Sequence, residues 1–146
     1  MDIRLRRLSP SDLDRIMEIE QASFTTDAYT RSRFESLYRR HPDGFIVAEL
    51  SSKIIGYIIA YISDGLGDFD SMAVDPRYRH LGVGKRLVHF MIDNFRRQGI
   101  REASLEVRTT NISAISFYHR LGFRITKVIK GFYRGGGDAY QMGRSI

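Results

Sequence analysis

Apolar positions along the chain recur at two different spacings, and the order of these spacings predicts eleven elements. Apolar runs over residues 45–50 and 54–62 are joined by a short polar link, which predicts a β-hairpin. Over residues 83–95 the apolar positions recur at helical spacing, which predicts a long helix. The whole order is β-α-α-β-β-β-α-β-α-β-β. It predicts a single mixed α/β domain over residues 1–146.

Polar residues at the ends of these segments predict where the helices begin. Ser9 is a capping residue, and Pro10 suits the first helical position that follows it. Thr30 and Asn111 are placed to cap the second and fourth helices. For Asn111, a pure capping role and a ligand contact are both open on this pattern.

Composition and charge narrow the classes of protein. The chain has 146 residues and no cysteine, which excludes a disulfide framework, a cysteine-type zinc site and a cysteine acyl-enzyme. The apolar run at residues 54–62 is too short to span a bilayer, and the charged N-terminus does not resemble a signal peptide. We therefore expect a cytoplasmic protein without membrane contact. The net charge of +6 favours an anionic partner.

A glycine-containing turn precedes the long helix. Gly82 and Gly84 flank the predicted helix start, where glycine costs about 0.8–1.0 kcal/mol relative to alanine. Free backbone N–H groups at a helix N-terminus suit a pyrophosphate. An ordinary loop-to-helix turn with incidental glycines would look the same. The spacing fits neither the dinucleotide fingerprint nor the Walker loop.

Three carboxylates and one tyrosine are the candidates for proton transfer. Asp68 and Asp70 alternate onto one face of the predicted fourth strand, where they are substrate-binding groups or a polar rim. Glu106 shares a strand face with Arg108, with which it can form an ion pair. Tyr118 lies seven residues after Asn111, so the two share a helix face, although a core aromatic would show the same spacing.

Three blocks of sequence together resemble the GNAT family of N-acetyltransferases. They are residues 72–84, residues 105–123 and the tail at residues 132–142, and they occur in family order over nearly the whole chain. The sequences of the second block and of the tail are similar to those of the ribosomal-protein-alanine and archaeal N-terminal acetyltransferases. The resemblance implies a largely antiparallel twisted sheet with splayed fourth and fifth strands, flanked by four helices.

The resemblance also implies acetyl-CoA as cosubstrate and no metal. Asn111 and the strand before the turn would contact the coenzyme, the latter through backbone groups of Met72, Ala73 and Val74. The turn would surround the pyrophosphate with Arg79, His80, Leu81, Gly82, Val83, Gly84 and Lys85.

Catalytic and substrate roles follow from the same resemblance. Glu106 would be the base, directly or through water, and Tyr118 would protonate the leaving sulfur. The peptide α-amine would attack the thioester directly in a ternary complex. The substrate-binding residues would be Phe24, Tyr29, Asp68, Asp70 and Tyr133. For Phe24 and Tyr29, packing of a loop residue into the core is an equally open alternative. Many relatives carry proline after the residue matching Phe24, where this chain has Thr25.

We therefore predict a protein N-terminal acetyltransferase, with ribosomal proteins among its candidate substrates, the ribosome as a candidate partner, and a monomer or weak dimer as its state. Two alternatives stay open. One is acetylation of a lysine or a small amine, which peptides with free and blocked N-termini would distinguish. The other is a non-catalytic basic module that binds RNA or the ribosome, which would show steep salt dependence without thiol release.

Overall fold

The structure is a computed structural model that describes residues 2–24 and 26–146. Over this part of the chain, seven strands and four α-helices occur in the predicted order. The strands are β1 (Ile3–Arg7), β2 (Phe45–Leu50), β3 (Lys53–Ser63), β4 (Leu66–Val74), β5 (Glu102–Arg108), β6 (Arg124–Ile129) and β7 (Ala139–Ser145). The helices are α1 (Leu13–Ser23), α2 (Arg31–Arg40), α3 (Val83–Arg97) and α4 (Ile112–Arg120).

The strands form one open, mixed sheet in the order β1-β2-β3-β4-β5-β7-β6. The pairs β1–β2, β2–β3, β5–β7 and β6–β7 are antiparallel, whereas β4 and β5 are parallel. The mixed α/β fold with a largely antiparallel sheet and four helices is thus confirmed. The ladder between β4 and β5 pairs Gly67–Phe69 with Ala103–Leu105, which is three of the nine residues of β4. This short ladder agrees with the predicted splay of the two strands.

Two compact units make up the chain, and β4 and α3 contribute residues to both. The first unit comprises the chain up to Tyr61 together with Ser71–Met91. Its core is aromatic and aliphatic: Phe34 lies with its ring centroid 6.0 Å from that of Phe45 and 5.9 Å from that of Tyr57, and all three are buried. Burial of such side chains stabilises by about 1.5–3 kcal/mol each.

The second unit comprises Ile62–Asp70 and Ile92–Ile146. Phe69 of β4 packs between two aromatic side chains, with ring centroids 5.9 Å from Phe95 and 5.8 Å from Phe123. Along β5, buried residues alternate with half-exposed ones, so one face of this strand lies in the core and Glu106 lies on the other.

The start of the first helix differs from the prediction. Residues Pro10–Asp12 form a 3-10 turn, and α1 begins at Leu13. The carboxylate of Asp12 accepts a hydrogen bond from the backbone N–H of Ser9 at 2.8 Å, which tightens this turn. The other two predicted caps are confirmed: Thr30 accepts from the N–H of Arg33, and Asn111 from the N–H of Ala114, both at 3.2 Å.

Candidate active site

The glycine turn of the first unit has a left-handed backbone at two positions. His80 has φ of 66° and Gly82 has φ of 80°, a region that glycine tolerates and that strains other residues. The first intrahelical hydrogen bond of α3 runs from the N–H of Arg86 to the carbonyl of Gly82 at 3.1 Å. The N–H groups of Val83, Gly84 and Lys85 precede this bond and have no acceptor within the helix. They form the positive end of a 15-residue helix.

The side chain of Arg79 is engaged within the first unit. Its guanidinium lies 3.3 Å from the hydroxyl of Ser23 and 3.4 Å from the carbonyl of Val74. Lys85 is exposed in the first turn of α3. Among the three predicted backbone contacts, Ala73 is buried in the core, while Met72 and Val74 are half-buried.

Asp75 anchors the strand that leads into the turn. It is 4% exposed and accepts hydrogen bonds from Arg77 and Arg15, which hold the pKa of its carboxyl well below the usual range. Arg15 also donates to the carbonyl of Ile54 at 3.0 Å, and the N–H of Asp75 donates to Ile55 at 2.8 Å. The entry to the turn is therefore held by Arg15 of α1 and by Arg77, which follows β4.

In the second unit, the charges of Asp68, Asp70 and Glu106 act on one another, a grouping that the sequence analysis did not predict. Burial is the largest cause that raises the pKa of Asp68 to about 6, followed by the charges of Glu106 and Asp70. Burial also raises the pKa of Glu106, and the charge of Asp70 adds to that rise. A hydrogen bond from Gln141 and the charge of Lys127 act in the opposite direction on the Glu106 pKa. These three acidic residues are called the carboxylate cluster below.

Tyr118 lies on the opposite face of the sheet from the carboxylate cluster. Its ring packs on Phe123 at 5.7 Å between centroids, and Phe123 packs on Phe69. Side chains alternate along a strand, so Phe69 points away from the face of Asp68. Burial raises the pKa of the Tyr118 hydroxyl above its ordinary value, so this hydroxyl holds its proton at neutral pH. The last pair of the ladder between β4 and β5 joins Phe69 to Leu105.

One predicted substrate residue of the first unit, Tyr29, contacts a buried glutamate. Tyr29 packs its ring 5.5 Å from that of Phe34, and its N–H donates to Glu20 at 2.9 Å. Glu20 is 1% exposed and also accepts from the hydroxyl of Tyr57. Phe24 is half-buried against the core, whereas Thr25 lies outside the described residues.

Tyr133 lies in the loop between β6 and β7. The guanidinium of Arg108 lies 4.5 Å from the centroid of its ring. Gly137, in the same loop, makes this stack possible, because a Cβ there would lie 1.9 Å from Nη1 of Arg108. Arg108 therefore holds the tail tyrosine against the end of β5.

Sequence reasoning missed three residues that interact with the predicted site residues. Gln141 and Lys127 influence Glu106, and Glu20 fixes the backbone at Tyr29. Gln141 lies within the tail block, but only the register between β5 and β7 places it opposite Glu106. For Glu20, the available signal was a single acidic residue at an apolar position of an amphipathic helix.

Two further observations concern residues 2–24 and 26–146 as a whole. No group of three or more His, Asp or Glu side chains there is arranged to hold a metal ion. No helix in the same residues has the length and apolar character needed to cross a membrane.

Comparison with known proteins places this geometry in a family. The model of the acetyltransferase (GNAT) family matches residues 13–123. That match runs from the first residue of α1 to Phe123 and includes residues of both units. The chain therefore belongs to the GNAT family and is an acetyltransferase.

Individual relatives agree with this assignment over almost their full lengths. An uncharacterized N-acetyltransferase of Methanocaldococcus jannaschii is 34% identical, with 94% of this chain and 88% of the relative covered. An N-alpha-acetyltransferase of Sulfurisphaera tokodaii is 30% identical, with 97% and 92% covered. The crystal structure of Ard1 from Thermoplasma volcanium superposes with a TM-score of 0.95 at 32% identity, covering 100% of this chain and 99% of that one.

Proposed function

We propose that this protein transfers the acetyl group of acetyl-CoA to the N-terminal α-amine of proteins. The observation that carries the proposal is the carboxylate cluster on one face of the sheet and Tyr118 on the other, at the point where β4 and β5 stop pairing. In the transfer, the amine gives up a proton and the leaving thiolate takes one up. A base on one face of the sheet and an acid on the other suit these two proton transfers.

Ammonium acidity favours an α-amine over a lysine side chain. The α-ammonium has a pKa near 7.7–8.0 and the lysine ammonium one near 10.4, a difference of about 2.5 units, or roughly 3 kcal/mol. A carboxylate is a weak base, so it serves the more acidic ammonium better. Burial raises the pKa of Glu106 and brings it closer to that of the α-ammonium. Glu106 is therefore the base, and Asp68 and Asp70 bind the incoming ammonium by charge.

The turn before α3 fits the diphosphate of acetyl-CoA. The free N–H groups of Val83, Gly84 and Lys85 and the positive helix end favour an anion. Because nothing lies within 4 Å of the Cβ position at Gly82, its backbone is open to a ligand. His80 and Leu81 are exposed in the same turn. Since the guanidinium of Arg79 is engaged by Ser23 and Val74, the contribution of Arg79 is through its backbone.

Further contacts would hold the pantetheine arm of acetyl-CoA and its sulfur. Backbone groups of Met72, Ala73 and Val74 bind the pantetheine arm of acetyl-CoA and stabilise negative charge on the acetyl oxygen. Asn111 contacts the coenzyme beside its capping bond. Bound acetyl-CoA supplies the thioester that the amine attacks. The Tyr118 hydroxyl, protonated at neutral pH, donates to the departing sulfur.

Aromatic residues of the two loops would hold the peptide. Phe24 and Tyr29 follow α1, and Tyr133 lies in the loop between β6 and β7. The backbone at Tyr29 is tied to Glu20, and the ring of Tyr133 is held by Arg108. A preorganised loop binds a flexible chain end at lower entropic cost. The net charge of +6 suits substrates near the ribosome, which remain a prediction.

The test is thiol release from acetyl-CoA over a panel of peptides varied at the first two residues. Peptides with a free N-terminus should react, and the same peptides with a blocked N-terminus and an internal lysine should not. Turnover on the blocked lysine peptide, or none on any free N-terminus, would overturn the proposal. Glu106→Gln is the matched inactive control, because it keeps the side-chain shape and removes the base.

A second measurement addresses the two strand aspartates. If Asp68 or Asp70 binds or deprotonates the amine, Asp68→Asn or Asp70→Asn should alter the pH–rate profile and raise KM for the peptide. Unchanged profiles in both variants would reject a role for these carboxylates while leaving Glu106 as base.

A further inference from the structure

A row of polar residues crosses three strands of the second unit and ends at Glu106. In the registers, Glu106 of β5 pairs with Gln141 of β7, and Gln141 pairs with Lys127 of β6. Directly paired residues share a face of the sheet. Glu106 and Gln141 are half-buried, whereas Lys127 is exposed at the edge strand. The row therefore connects the proposed base with the sheet edge.

A bulge in β6 brings an additional hydroxyl to this row. The register between β6 and β7 shifts between Ile125 and Lys127, which leaves Thr126 as the extra residue. Its hydroxyl lies 3.2 Å from the backbone carbonyl of Gln141 and 3.4 Å from Oε1 of the same residue. Bulges next to functional sites commonly redirect a side chain in this way.

The orientation of the Gln141 amide follows from these contacts. With Oε1 facing the Thr126 hydroxyl, the NH2 group is directed to a different acceptor. A hydrogen bond between Gln141 and Glu106 lowers the pKa of that carboxyl against the effect of burial. An NH2 donor favours the ionised form of a carboxyl group, because the negatively charged carboxylate is the stronger hydrogen-bond acceptor.

Asp68 lies in a contrasting environment on β4. Burial and the charges of Glu106 and Asp70 all act to raise its pKa. Glu106, by contrast, has a donor in Gln141 and a cation in Lys127. Each of these causes at Asp68 thus favours its protonated form, whereas Gln141 and Lys127 favour the ionised form of Glu106. Neighbouring carboxyl groups with different environments in this way take different roles in proton transfer.

We propose that Gln141, oriented by the bulged Thr126, is a positioning residue that holds the Glu106 carboxylate ionised and aimed at the substrate amine. This inference rests on the proposed function, in which Glu106 is the base. Gln141 acts through Glu106 and needs no contact with the substrate. The charged groups on the face of Glu106 include Asp68 and Asp70 on β4, Lys127 on β6, and Arg108 two residues further along β5.

The first test compares pH profiles of kcat/KM for Gln141→Leu and the wild type. Leucine has a similar size and suits a strand but donates no hydrogen bond. Loss of a hydrogen bond to the ionised form raises the pKa of the base, so the acid limb should move to higher pH by about one unit. Thr126→Val, which removes only the hydroxyl, should move it in the same direction by less. Superimposable profiles for Gln141→Leu and the wild type would overturn the proposal.

A matched control separates this effect from a general change in the protein. Gln98 follows α3, is exposed, and donates to the carbonyl of Asn94 at 3.3 Å. Gln98→Leu makes the same chemical change outside the row and should leave the acid limb in place. An equal shift in this control would overturn the assignment to Gln141.

The second test does not depend on turnover. Carbon-13 NMR of glutamate-labelled protein follows each side-chain carboxyl carbon with pH, and Glu106→Gln identifies the Glu106 resonance by its loss. The Glu106 titration midpoint should rise by about one pH unit in Gln141→Leu. An unchanged midpoint would reject the inference even in an active enzyme. A wild type without thiol release would reject the proposed function, while this titration would still decide the role of Gln141.

Discussion

Replacing Asp68 with asparagine removes one charge of the carboxylate cluster and keeps the size of the side chain. The pKa of Asp68 rises from its ordinary value of 3.8 to about 6 in the folded protein. Between these two pH values the folded chain retains a proton that the unfolded chain has released. The contribution of Asp68 to the free energy of unfolding therefore falls as pH rises from about 4 to about 6 and stays constant at higher pH.

The magnitude follows from the shift. About two pKa units correspond to roughly 3 kcal/mol at full effect. Asp68 is half-buried, so solvent screening reduces the expected value to about 1–2 kcal/mol. At pH 7.5 we expect Asp68→Asn to be more stable than the wild type by that amount. At pH 4, where Asp68 is protonated in the folded state, the two proteins should be equal within about 0.5 kcal/mol.

Urea unfolding at pH 4 and pH 7.5, followed by circular dichroism, measures both differences. Asp93→Asn is the matched control, because Asp93 is exposed on α3 and its substitution should change the free energy of unfolding by less than about 0.5 kcal/mol at either pH. Equal stability of Asp68→Asn and the wild type at pH 7.5 would refute the reasoning. A variant that is less stable than the wild type at that pH would refute it as well.

Three further predictions concern other parts of the site. Tyr118→Phe should lower kcat in the thiol-release assay with little change in acetyl-CoA affinity by calorimetry; wild-type turnover would reject the proposed acid. Gly82→Ala should cost about 1–2 kcal/mol in thermal unfolding, because its φ of 80° strains alanine although its Cβ position is open; an unchanged free energy of unfolding would contradict this. Glu20→Ala should lower the free energy of unfolding by about 1–3 kcal/mol, because the hydroxyl of Tyr57 and the N–H of Tyr29 lose a buried acceptor. The same variant should raise KM for the peptide, and a KM equal to that of the wild type would contradict a role of Glu20 in peptide binding.

The order of elements was predictable because it depends on local periodicity. The period-2 and helical patterns placed all seven strands and four helices in the right order. Thr30 and Asn111 cap as predicted, since a capping bond joins residues three apart. Ser9 and Pro10 also begin the first helical segment as predicted, but its first turn is a 3-10 turn and the α-helix follows at Leu13.

Candidate site residues were predictable in identity but not in environment. Alternation along each strand placed Asp68 and Asp70 on one face and Glu106 opposite Leu105, as the burial pattern bears out. The pKa of Asp68 depends on burial and on the parallel pairing of β4 with β5, which joins residues more than thirty positions apart. No local pattern specifies such a pairing.

The sequence alone determined the family, the order of the elements and the residue types available for proton transfer, because these are properties of motifs and of short-range spacing. Only the tertiary structure decided which of those residues affect one another. It set Gln141 beside Glu106 through strand register, added Thr126 through a one-residue bulge, and engaged Arg79 with Ser23. The physical reason is that register and charge interaction depend on distances between segments that are far apart in the chain.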